Sequence, residues 1–175
     1  MIVWPPRALD VRRAVAPSAA VFSLGSAAIH FSVIGQHLRE FPLYGVLFVA
    51  VSWFQAWWAV RYAARPTRGL ARLGLLMNTG VVLVWAWSRT VGLPIAPAPG
   101  GPEAIGTADV IATIFEFALA SLLAEVLRVT RGGRTARVAS FPATAGLLLQ
   151  LASISVVVIG TTIALAALAS SMPMG

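Results

Sequence analysis

Five apolar runs of about 20 residues divide the chain, and they constrain its fold more than any other feature. A run of that length crosses about 30 Å of hydrocarbon as an α-helix, which pairs its backbone polar groups internally. The predicted spans cover residues 15–37, 41–62, 70–91, 107–127 and 143–169. Only 11 % of the 175 residues are charged, against about 25 % in soluble domains. We therefore expect an all-α integral membrane bundle of five helices, with residues 1–175 forming a single transmembrane domain.

The 13 basic residues are all arginines, and their distribution predicts the orientation of the bundle. Three precede span 1, four lie around the connection between spans 2 and 3, and four lie around that between spans 4 and 5. Because basic residues in short loops mark the cytoplasmic side, the N-terminus is predicted to be cytoplasmic and the C-terminus outside. We interpret the net charge of +7 as this topology signal, and we therefore expect no nucleic-acid partner. The protein is predicted to be a multi-pass protein of a bacterial cell membrane.

Two residue types are missing, and each absence excludes a class of chemistry. The chain has no cysteine, which rules out disulfides, iron–sulfur clusters, thiolate metal sites and cysteine nucleophiles. It has no lysine either, so a Schiff base to retinal or pyridoxal phosphate is excluded.

The strongest functional signal is a set of ionisable residues placed in register on spans 1 and 4. His30 and His37 are seven residues apart on span 1, and Asp109 and Glu116 are seven residues apart on span 4. Seven residues are two helical turns, or about 10 Å, so each pair shares one helix face. Since the two spans run in opposite directions, we expect His37 to lie level with Asp109, and His30 with Glu116.

This arrangement predicts a histidine–carboxylate pocket near the outer face that binds a divalent transition metal: zinc, copper, manganese or iron. A carboxylate within a span is costly and usually faces a partner or a polar cavity. The predicted ligands are His30, His37, Asp109 and Glu116. The residues expected to support them are Arg89, Glu103, Glu40 and Thr113.

The longest connection, residues 92–106, contains four prolines and is predicted to form a stiff lid on the outer side. Arg89 lies just before it, and Glu103, Asp109 or Glu116 is the expected counter-ion. Glu125 faces away from Glu116 and is expected to pair with Arg128.

Other polar and aromatic residues have structural interpretations. Gln55 and Asn78 are expected to bond across the interface of spans 2 and 3. Four aromatic residues on span 2 are expected to belong to a membrane-interface belt, namely Trp53, Trp57, Trp58 and Tyr62.

Three other functions remain open. Glu116 as an acid and His30 as a base are candidate catalytic residues for protonating or isomerising a lipidic substrate. The protein is alternatively an accessory subunit, with its polar stripe covered by other membrane subunits or by self-association. Ion or proton translocation is the fourth candidate, although polar groups toward the inner face are sparse.

The segments "QHLREFPLYG" and "SRTVGLPIAPAPGGPEAIGTADVIATIFE" resemble small multi-span membrane proteins of high-GC Gram-positive bacteria. The resemblance covers about residues 28–117 and includes the pattern SRTxGLP…PExIGxxDxxAxxxE. It implies a membrane bundle, but no activity is established for that group, so it implies no catalytic role for any residue.

Overall fold

The computed structural model describes residues 11–95, 101–131 and 143–170, with the side chains of residues 143–147 and 149 left out. These ranges contain five α-helices and no strand. The helices are α1 Val11–Glu40, α2 Pro42–Ala64, α3 Arg68–Thr90, α4 Thr107–Val129 and α5 Ala143–Ser170. All five are long and apolar enough to cross a membrane. The predicted all-helical architecture is confirmed, with five helices of the length and apolarity that membrane spans need, and α1 is longer than its predicted span at both ends.

Local sequence signals explain where the helices begin. Only Phe41 separates α1 from α2, and Pro42 starts α2 at a position where its missing N–H costs nothing. Thr67 caps α3 by accepting a hydrogen bond from the backbone N–H of Leu70. At the start of α4 the bond runs the other way, because the carboxylate of Asp109, at the third helical position, accepts from the backbone N–H of the N-cap residue Gly106 at 3.2 Å.

α1 is the central helix: it packs against α2, α4 and α5. Its buried face consists largely of alanine, serine and glycine, and such small residues let helix backbones approach closely in membranes. Gly25 illustrates this, because a Cβ placed there would lie 2.6 Å from Val157 of α5. α3 packs mainly on α4, whereas the consecutive helices α2 and α3 make only sparse contact.

A hydrophobic core fills the end of the bundle near the α2–α3 connection. Trp58 and Tyr62 are fully buried there, with their rings stacked at 4.7 Å. Gly74 of α3 makes room for the indole of Trp58, whose Nε1–H donates to the carbonyl of Leu70. The predicted aromatic belt is therefore wrong for these two residues, which face the bundle, while Trp53 and Trp57 remain exposed.

Candidate functional site

A cavity of about 320 Å³ lies among α1, α2, α3 and α4, in the half of the bundle where α1 ends. Most of its lining is apolar and comes from α2 and α3, including Phe48, Val51, Met77 and Val81. It lies between α2 and α3, which make only sparse contact with each other although a short connection joins them. Most of the ionisable side chains that line the cavity fall into two groups.

The first group, which we call the floor, consists of His30 and Glu116, which line the cavity, together with Gln55, which bonds to Glu116. His30 Nε2 lies 2.8 Å from Glu116 Oε1, and Gln55 Nε2 donates to the same oxygen at 2.8 Å. Glu116 is only 1 % exposed. The predicted pairing of His30 with Glu116 is thus present, and Gln55 supports it from a third helix.

Further hydrogen bonds hold the floor in place. The Gln55 amide also lies 3.5 Å from Asn78 Oδ1, which is the expected bond between α2 and α3, although a long one. Asn78 donates to the carbonyl of Gly74. Ser23 donates to the backbone carbonyl of Gln55 at 2.9 Å. The carboxylate of Glu116 is therefore positioned by side chains that are themselves anchored.

The second group, which we call the mouth, consists of Arg89, Glu103 and Asp109 at the opposite end of the cavity. Arg89 Nη2 donates to Asp109 Oδ2 at 2.7 Å, and Nη1 forms an ion pair with Glu103. The backbone N–H of Glu103 donates to the carbonyl of Ser88. The expected counter-ions of Arg89 are confirmed for Glu103 and Asp109, and not for Glu116. The same Asp109 oxygen also caps α4.

The mouth also fixes both described ends of the connection between α3 and α4. Gly92 has a φ of +86°, and a Cβ there would lie 2.6 Å from the carbonyl oxygen of Gly101. Glycine is thus required on both counts, the backbone angle and the close approach. Leu93 and Glu103 line the cavity. Residues 96–100, the centre of the predicted lid, lie outside the described residues.

His37 does not meet Asp109, contrary to the expected pairing. Its ring stacks on Phe48, with centroids 4.3 Å apart, and its Nδ1 lies 3.2 Å from Glu40 Oε2. That oxygen lies outside hydrogen-bonding geometry for the ring nitrogen. Asp109 is instead committed to Arg89, because the guanidinium offers a charge-assisted bond.

The four predicted metal ligands are consequently divided among three local arrangements. Within the ranges that the structure describes, no group of three or more histidine, aspartate or glutamate side chains could hold a metal ion. His30 and Glu116 meet, while Asp109 and His37 are engaged elsewhere. Among the predicted supporting residues, Thr113, Arg89 and Glu103 line the cavity, and Glu40 pairs with His37 and Gln36.

Two features of this site carried little signal in the sequence. Gln55 contacts Glu116, although its position suggested only an interhelical bond. Tyr44 and Trp85 line the cavity near the mouth, although such residues usually anchor a helix at the membrane interface. The Tyr44 hydroxyl lies close to Glu103 without meeting hydrogen-bond geometry. Only the placement of α2 and α3 around the cavity gives these residues a role.

The side of the cavity between α2 and α3 reaches the surface of the bundle. Leu47 of α2 and Leu76 and Val84 of α3 all line the cavity, yet they are 47 %, 71 % and 46 % exposed. The rim at this side is therefore apolar, whereas the mouth is crossed by ion pairs.

The chain matches no protein-family model, no curated protein and no solved structure.

Proposed function

We propose that this protein binds a lipid-soluble molecule in the cavity and that the His30–Glu116 pair exchanges a proton with it. One observation carries the proposal: a histidine and a carboxylate, 2.8 Å apart, form the floor of a mostly apolar cavity. Ligand sites combine apolar walls with a few placed polar groups in this way, and their volumes begin at about 300 Å³.

The chemistry that suits the pair is general acid–base catalysis. In an apolar site, a proton shared by imidazole and carboxylate can pass to a bound molecule, and a second proton can return from it. Such a cycle protonates or isomerises the ligand without a change in redox state. Gln55 assists by donating to Glu116 Oε1, which keeps that oxygen aimed at His30.

The apolar rim between α2 and α3 supports a lipidic ligand. In a bilayer, Leu47, Leu76 and Val84 would face acyl chains, so a molecule dissolved in the membrane would reach the cavity without crossing charged groups. We further propose that the N-terminus is cytoplasmic and that the protein resides in a bacterial plasma membrane. The mouth would then lie near the outer face, and the exposed arginines around the α2–α3 connection would lie in the cytoplasm.

A divalent transition metal is the weaker candidate. His30 and Glu116 supply two ligands, whereas zinc sites use at least three protein side chains. Of the other predicted ligands, Asp109 would have to leave its ion pair with Arg89, and His37 its stacking contact with Phe48.

An accessory role is the other alternative: a partner's helix would then occupy the gap between α2 and α3.

Gly80 allows a direct test, because it lines the cavity and a Cβ there meets no atom within 4 Å. Gly80→Leu would place a branched apolar side chain at the cavity from a position where its Cβ meets no neighbour. Gly35→Leu is the matched control: Gly35 is an exposed helical glycine outside the cavity lining, with ordinary contact for an added Cβ. Both changes also remove a helix-weakening glycine.

The measurement is mass spectrometry of small molecules extracted from the purified protein in nanodiscs. We expect a lipid-soluble compound to co-purify with the wild type and Gly35→Leu, and to be depleted from Gly80→Leu. In Glu116→Gln the compound should accumulate in a form with a different chromatographic retention. Equal recovery from both glycine variants would refute the cavity as the site, and retention unchanged in Glu116→Gln would refute the proton transfer. Loss of larger membrane subunits from Gly80→Leu alone would favour the accessory role.

A further inference from the structure

Two residues that line the cavity each carry a buried N–H group that has no hydrogen-bond partner among the described residues. The two nitrogens are Trp85 Nε1 and Arg89 Nε. The two residues are four positions apart on α3 and therefore lie on the same face of the helix. The ion pairs of Arg89 use its two terminal nitrogens, so the Nε–H is left over.

Both groups are donors that cannot accept a hydrogen bond. A buried donor without a partner is unfavourable, and the structure has two of them on residues about one helical turn apart at a ligand-sized cavity. A ligand that presents acceptor oxygens to this face of α3 would satisfy them.

The charges around the two donors limit the ligand further. Arg89 is already neutralised by Glu103 and Asp109, which leaves an excess of one negative charge at the mouth. A carboxylate or phosphate head would meet that negative charge, and Glu116 lines the same cavity. A cationic ammonium head offers only donors or methyl groups, so it would leave both N–H groups without an acceptor. A neutral acceptor avoids both conflicts.

We infer that the ligand is a neutral lipid-soluble molecule with a carbonyl-type head, such as an ester, ketone or quinone oxygen. Trp85 and Arg89 recognise this head, and the apolar walls hold the rest of the molecule. This inference rests on the proposed function, because it names the class of ligand for the same cavity. Trp85 is then a specificity-determining residue, and it plays no part in the proton transfer.

The test uses photoreactive alkyl probes in nanodiscs of ether-linked phosphatidylcholine, a lipid that lacks competing ester carbonyls. Three probes share one diazirine-bearing chain and end in a methyl ester, a free carboxylate or no head group. Trp85→Phe removes the N–H and keeps an aromatic ring. Trp87→Phe is the control, because Trp87 is 56 % exposed and does not line the cavity. Peptide mass spectrometry measures labelling around Val51 and Met77 as a function of probe concentration.

We expect the wild type to bind the methyl ester more tightly than the other two probes. Trp85→Phe should weaken ester binding by about two- to tenfold, the range of one hydrogen bond, and should leave the headless probe unchanged. Trp87→Phe should change neither.

Equal weakening of both probes in Trp85→Phe would mean that the indole acts by packing alone, and would overturn the inference. An ester no better than the headless probe would overturn it as well. In both cases cavity labelling that disappears in Gly80→Leu would leave the proposed function standing. If no probe labelled the cavity in any variant, the proposed function itself would be refuted.

Discussion

Replacing His30 with leucine should have opposite effects on stability depending on whether Glu116 is present. In the wild type, His30→Leu removes a partner from a buried carboxylate that keeps its bond to Gln55. The bundle should therefore lose stability. In Glu116→Leu, both His30 Nε2 and Gln55 Nε2 lack the oxygen they shared. Replacing His30 as well then removes one of the two unpaired groups, and the bundle should regain stability.

The size of each change in the free energy of unfolding follows from the number of buried polar groups that lose a partner. Each costs about 1–3 kcal/mol, so Glu116→Leu should leave a penalty of about 2–6 kcal/mol and the double variant about half of that. Hydrogen bonds measured in membrane bundles lie lower, at about 0.6 kcal/mol on average. We expect the double variant to exceed Glu116→Leu in free energy of unfolding by about 0.6–3 kcal/mol. Both lack the carboxylate, so the cost of placing a charge in the membrane cancels between them.

Reversible unfolding by sodium dodecyl sulfate in mixed micelles measures all four members of the cycle. His30→Leu loses the ring contact with Phe48, at 5.2 Å, in both backgrounds, so this contact cancels in the difference between the two effects of the substitution. Glu125→Leu serves as the control for removing a carboxylate from α4, because Glu125 pairs with Arg128 at the exposed end. An equal loss of stability from His30→Leu in both backgrounds would show that the bond to Glu116 contributes nothing.

Four other outcomes are expected. In intact cells, cysteine in place of Gly100 should react with an impermeant maleimide, and cysteine in place of Arg68 should react only after permeabilisation; the reverse pattern would contradict the proposed orientation. Gly74→Ala should lower the free energy of unfolding by about 1–3 kcal/mol through overpacking against the indole beneath it, whereas Gly80→Ala should raise it by up to about 1 kcal/mol. Arg89→Lys should speed amide hydrogen exchange in the α3–α4 connection, because an ammonium lacks the planar fork that joins two carboxylates; unchanged exchange would show that the ion pairs do not fix this segment. Elemental analysis of the purified protein should find less than one equivalent of transition metal. A stoichiometric amount of bound metal would instead favour the metal site over the lipid-soluble ligand.

The helices and one contact of the site could be predicted from the sequence, and the physics explains why. Run length alone defines a membrane helix, because the bilayer has a fixed thickness. The contact of His30 with Glu116 followed from equal seven-residue spacing on antiparallel helices. The same reasoning failed for His37 and Asp109, because it considered only α1 and α4, the helices that carry them. Arg89 of a third helix, α3, bonds to Asp109 instead.

Helix rotation accounts for the remaining differences. The sequence gives the spacing of residues along a helix, but it leaves open which face meets which neighbour. Trp58 and Tyr62 turn toward the core, and Gln55 turns toward Glu116, for this reason. The separation of α2 from α3 had no sequence signal either, since a short connection usually joins helices that pack together.

The position of α5 bears on how the protein is made. As far as its described residues go, α5 packs on α1 and α4, makes no contact with α2 or α3, and does not line the cavity. The helices that surround Glu116 are therefore all synthesised before α5 begins. His30 and Gln55 can pair with the carboxylate as soon as α4 leaves the translocon, so the costly polar group is satisfied without waiting for the last helix. α5 carries no ionisable residue and is apolar enough to insert unaided. A chain truncated at residue 142 and released from the ribosome should already form a bundle with the floor assembled.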